Sequence, residues 1–238
     1  YEILSRITFL FWEAPPDDAL YALVAPLDLG RGEDLETVLS HVLQSGRAKD
    51  GVGRFYREWL KLDRVPELPA NDTQAFWSFA QGESIGVAGH NHRADMIQEV
   101  LDLGVHYTLS SEGRYEDLLT SPYSFARTTD LARIYGVAPW DGSATNLVSF
   151  AVGERSGLLT RAALLVSGSE ETRPILRGRE IRFQILCDEL PPPPAEIKIT
   201  PLVPDHQKTT RSIVETATAS QTCQACHIQM NPLGFAVE

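Results

Sequence analysis

No run of 18 or more apolar residues occurs in this 238-residue chain, so no membrane-spanning helix is expected from it. Positive charge is scarce: 21 Lys and Arg stand against 32 Asp and Glu, giving a net charge of −11. No basic patch stands out, which argues against nucleic acid as a partner. The acidic balance bears on solubility and on basic partners. No internal repeat is present, and no low-complexity tract beyond the four prolines at 191–194. An initiating methionine and a signal peptide are both missing from the opening YEILSRITFLFW, and the chain stops abruptly at GFAVE. It therefore reads as a segment of a longer polypeptide. What is there is ordinary for a globular chain, with 43% hydrophobic and 22% charged residues. That is enough for a real core in one large domain or two small ones.

The first half has helical periodicity. In EDLETVLSHVLQSG, residues Leu35, Val38, Leu39, Val42 and Leu43 recur at helical spacing between Gly32 and Gly46. PDDALYALV offers Pro16 and two aspartates at a helix start. Phe55 and Trp59 are four apart and share a helix face. HRADMIQEVLDLG repeats the pattern with Met96, Ile97, Val100 and Leu101. TTDLARIYG has Thr129 as cap and Gly136 as stop. Residues 138–172 are rich in Gly, Ser and Thr and read as an irregular connection. Helix returns at RPILRGREIRFQILCDEL, with Pro174 at a permitted early position and the four prolines as terminator. EIKITPLVP reads as extended, and TTRSIVETATAS as a short helix leading to the last motif. The expected fold is mainly α: a helical domain over 1–137, the connection over 138–172, and a C-terminal module over 173–238.

That last motif is CQACH. Two of the chain's three cysteines, Cys223 and Cys226, are three apart, and His227 follows at once. On a helical turn all three project to one side. A cysteine pair at this spacing can add to the two vinyl groups of haem, and the adjacent histidine then points at the iron. Histidine supplies the proximal ligand, while the opposite ligand, hydrogen bonds and burial tune the metal. Other chemistries compete. Zinc could use the same three residues, but adjacent Cys and His seldom both reach one tetrahedral ion, and a closed site needs a fourth ligand. A thioredoxin-like pair needs a strand before the motif, where a helix is read. A plain disulfide is the bland alternative.

Pro232 should end the attachment helix and fix the turn after it. Gly234 permits close approach of backbone to a flat ring. Leu233 and Phe235 would then wall that ring, and a dry wall moves a redox potential. An ordinary helix stop with an apolar contact to the core explains the same residues, and both can hold. Met230 is one helical turn beyond His227 and would approach the same side of the ring, so a distal ligand must come from elsewhere. His206, in LVPDHQK, is the candidate; His92 and Met96 follow, and an open position is the further alternative. Met96 also fits an apolar helix face, and His90 and His92 fit a solvated loop. His41 and His106 suit a helix face or a turn. Cys187 reads as a buried structural thiol. Trp12, Trp59, Trp77 and Trp140 read as core.

Taken together, several stretches resemble the planctomycete-type cytochrome c proteins, large exported bacterial proteins of several domains. SRITFLFWEAPPDDAL, LLTSPYSFARTTDLARIYGV, RSGLLTRAALL, RPILRGREIRFQILCDELPPPP and TTRSIVETATASQTCQACHIQMNPLGFAVE fall in that family's order. The resemblance implies one covalent haem c, a periplasmic or extracellular location, and further segments of the parent protein. Many relatives carry a histidine six residues after the arginine that matches Arg211; here that offset falls on Ala217. The expected function is electron transfer to a redox partner or neighbouring cytochrome. The alternatives are a haem-dependent oxidoreductase with an open iron site and a structural subunit of a larger cytochrome complex.

Overall fold

The computed structural model describes residues 2–67, 92–110, 113–168, 172–192, 202–205 and 207–237. Its first four helices are α1 (Glu2–Trp12), α2 (Asp18–Val24), α3 (Gly32–Gln44) and α4 (Gly46–Trp59). Short polar side chains start two of them. Asp17 accepts from the Leu20 amide at 2.9 Å, and Ser45 Oγ accepts from the Ala48 amide at 3.2 Å. Each satisfies a donor that the first turn leaves orphaned. The periodicity of α3 buries Val38 and Val42, which join Leu4, Trp12, Leu20 and Ala48 in one apolar cluster. The Trp12 indole donates to the Val42 carbonyl at 3.1 Å, the partner a buried indole needs.

Helix α4 carries the chain from this cluster into a second one. Its Val52 and Tyr56 pack with Met96, Ile97, Val100 and Leu103 of α5 (His92–Val105). Each fully buried aliphatic side chain here stabilises the fold by roughly 1.5–3 kcal/mol. Phe55 and Trp59 stack as their spacing predicts, with centroids 5.7 Å apart. Helix α5 runs into a π-helical turn at His106–Ser110. Then come α6 (Tyr115–Thr120), α7 (Thr129–Ile134), a two-stranded antiparallel ribbon of β1 (Tyr123–Ser124) and β2 (Val148–Ser149), and α8 (Ala162–Leu165). The cap of α7 is Thr128, which accepts from the Leu131 amide, and not Thr129. The stretch 138–168 has little regular structure, yet Trp140, Phe150, Leu158 and Ala163 are buried in the second cluster.

A buried ion pair fastens that stretch to α5. Glu99 and Arg161 are 1% and 0% exposed. Arg161 donates to Glu99 Oε1 at 3.2 Å. The Tyr135 hydroxyl donates to Glu99 Oε2 at 2.5 Å and accepts from the Ala162 amide at 2.8 Å. The guanidinium lies 4.8 Å from the centre of the Phe150 ring. Burial raises the Glu99 carboxyl above its ordinary value, with Arg161 opposing it. Burial, and then the neighbouring carboxylate, push the Tyr135 hydroxyl well upward.

The C-terminal part begins with α9 (Pro174–Glu180), whose proline occupies the first turn. A π-helical turn, Ile181–Ile185, follows. The helical run ends there, before the prolines. Cys187 has left-handed backbone (φ 51°) and an exposed side chain, so it is not the buried helical thiol expected from sequence. Next come α10 (Thr210–Ala217), capped by Thr209, and α11 (Gln221–Phe235). The Trp59 indole donates to the Gln184 carbonyl at 2.6 Å, tying this part to α4. The fold is mainly helical, as expected. No helix among the described residues is long and apolar enough to cross a membrane.

Candidate functional site

Cys223, Cys226 and His227 all lie on α11. Ser220 caps the helix by accepting from the Cys223 amide at 3.3 Å, so the first cysteine sits in the first turn. At about 100° per residue, Cys223 is roughly 40° and Cys226 roughly 100° around the axis from His227. The three therefore share one strip of the helix. Both thiols are unpaired, and all three side chains are partly exposed. No three His, Cys, Asp or Glu side chains among the described residues are grouped so that they could hold a metal ion, these three included.

Beside this strip lies an open cleft of about 490 Å³ between α10 and α11. That volume falls in the ordinary range for ligand sites, roughly 300–1,000 Å³. Arg211 and Glu215 come from α10; His227, Ile228, Asn231 and Phe235 come from α11. Arg211 is fixed twice: it donates to the Phe235 carbonyl at 2.9 Å, and its guanidinium lies 4.8 Å from the centre of the Phe235 ring. Of Cys223, Cys226 and His227, the histidine lines the cleft and the two cysteines do not. Its Nδ1 is 3.1 Å from Asn231 Oδ1, and Nε2 has no hydrogen-bond partner among the described residues.

The residues after the motif sit differently from the sequence expectation. Pro232 is inside α11, which continues to Phe235. It does not end the helix; it removes the donor that the Ile228 carbonyl would otherwise meet. Gly234 is buried against α9, where its α-carbon faces the Pro174 carbonyl, while Gly178 of α9 faces the Met230 carbonyl. The close backbone approach that Gly234 permits is thus between two helices. Phe235 is buried and lines the cleft; Leu233 is partly buried and does not. Met230 is buried outside the lining.

His92 is buried at the start of α5 and is not the solvated loop residue expected; Met96 is in the second apolar cluster, and neither lines the cleft. His41 is exposed on the last turn of α3. His206, His90 and Trp77 lie outside the described residues. Sequence reading missed Asn231 and Thr218. The i,i+4 spacing of His227 and Asn231 was the available sign, since such pairs face each other on a helix.

Residues 1–137 match the model of PSD4, described as a protein of unknown function (DUF1592). The chain belongs to the PSD4 family. Its residues 155–238, which include α9, α10 and α11, match a second model, PSCyt3, also described as a protein of unknown function (DUF1588). No curated protein and no solved structure matches this PSD4 chain.

Proposed function

We propose that this PSD4 protein carries one covalent haem c on Cys223 and Cys226 and transfers electrons outside the cytoplasm. The observation that carries the reading is the arrangement on α11: two unpaired, partly exposed thiols one turn apart, with a histidine whose Nε2 is uncommitted, beside an open cleft. The donor set fits a thioether-linked porphyrin, which needs two free thiols and one imidazole nitrogen. It suits zinc less well, because the three groups do not converge. The name of the matching PSCyt3 model points the same way.

When bound, haem supplies a one-electron iron couple. The chain's own residues do the rest. Cys223 and Cys226 anchor the ring, and His227 offers Nε2 to the iron. Ile228, 70% exposed, and Phe235 give the cleft apolar surface that a flat hydrophobic group would cover. Arg211 is a fixed positive charge at its edge. Location in the periplasm or outside the cell follows from where such thioethers are made. The test is a visible spectrum of the reduced protein with and without carbon monoxide. A c-type spectrum that the gas leaves unchanged supports electron transfer. A c-type spectrum shifted by the gas moves the function to small-ligand chemistry at an open iron. No haem spectrum at all sinks the proposal.

A further inference from the structure

Thr218 and Asn231 stand in line behind His227, and the direction of every hydrogen bond in that line is fixed from its far end. The Val214 carbonyl can only accept, so the Thr218 hydroxyl donates to it, at 2.8 Å. With its proton committed, Thr218 Oγ1 is an acceptor, and Asn231 Nδ2 donates to it at 3.1 Å. That sets the amide: Oδ1 is the Asn231 atom facing His227 Nδ1, at 3.1 Å. An amide oxygen only accepts, so Nδ1 carries the proton. Thr218 and Asn231 are 7% and 8% exposed, and both form part of the cleft wall behind His227.

We infer that Thr218 and Asn231 are positioning residues that hold His227 as its Nδ1–H tautomer, with the lone pair on Nε2. The tautomer is a property of the chain itself. Its use, presenting Nε2 to an iron, rests on the haem reading above. An acceptor on Nδ1–H also gives the imidazole more anionic character and makes Nε2 a stronger donor. Such a ligand favours the oxidised metal. Asn231 would then set the potential as well as the ring's orientation.

Two arms keep this inference separable from the haem reading. In the first, the full chain is made without haem attachment, labelled with ¹⁵N-histidine, and examined by NMR where His227 is neutral. The wild type should show a protonated Nδ1 and a bare Nε2. Asn231→Leu should return the ring to the Nε2–H form that a free imidazole prefers. Thr218→Val, which unlocks the amide, should give a mixture, and Thr218→Ser should keep the wild-type form. A wild-type His227 found as Nε2–H overturns the inference. In the second arm the haem-loaded protein is titrated. The reduction potential should rise in Asn231→Leu and fall in Asn231→Asp, whose carboxylate is the stronger acceptor. Equal potentials in folded Asn231→Leu, Asn231→Asp and wild type also overturn it. A chain that takes up no haem refutes the proposed function instead, and leaves the NMR arm to decide the tautomer.

Discussion

The α-carbon of Gly234 faces the carbonyl oxygen of Pro174 so closely that a β-carbon built there would overlap it. The reverse contact, Gly178 against the Met230 carbonyl, lies along the same pair of helices. Arg177 of α9 donates to the Gly234 carbonyl at 3.1 Å, and Arg182 donates to that of Gln229 at 3.3 Å. The motif helix is therefore held by backbone contact, which no side-chain rearrangement can relieve. Gly234→Ala should cost about 3 kcal/mol or more in urea unfolding, at the upper end of what overpacking does. Unfolding at the wild-type midpoint would show that the helices are not packed this way.

The Glu99–Arg161 pair gives a second prediction. Removing one partner leaves a charge buried with nothing to offset it. Glu99→Leu and Arg161→Met should each lose about 3–5 kcal/mol. The combined Glu99→Leu, Arg161→Met variant removes both charges and should lose far less than the sum of the singles. Denaturant midpoints of the four proteins form the cycle. Additive losses would mean that the two groups do not interact.

His106 gives a pH dependence. It sits between the rings of Tyr107 and Phe125, at 4.9 and 5.2 Å, and burial lowers its pKa. The unfolded chain then binds the proton more readily than the folded one. Its contribution is fully present above about pH 6.5, the unfolded value for histidine, and is lost as pH falls toward the lower folded value. His106→Leu should be less sensitive to acid than wild type between pH 7 and 5, read as the difference in urea midpoints. Parallel pH profiles would contradict the shift.

Much of this was legible in the sequence wherever local periodicity decides structure. Val38 and Val42 are buried because α3 is amphipathic, and Phe55 meets Trp59 because residues four apart share a face. The motif was legible too, since Cys223, Cys226 and His227 lie on one turn. The misses have a common cause: tertiary contact overrode a local rule. Pro232 reads as a stop, but α11 runs on through it, packed along α9. Residues 138–172 read as an irregular connection, and 138–168 do have little regular structure, but Trp140, Phe150 and Arg161 are buried with partners far away in sequence. His92 reads as a loop residue by its Gly and Asn neighbours, but it is buried at the start of α5. Asn231 carried no motif of its own, because its role depends on Thr218 from outside the helix.

Whether Cys223 and Cys226 hold haem through thioether bonds decides the function proposed for this chain. The direct measurement is the mass of the protein after acid–acetone extraction, for material made with the haem-c maturation machinery. The wild type should keep its colour and exceed the mass of the bare chain by one haem, and Cys223→Ala with Cys226→Ala should be colourless at the bare mass. A colourless wild type at the bare mass, or one that surrenders its haem to the solvent, would contradict the account.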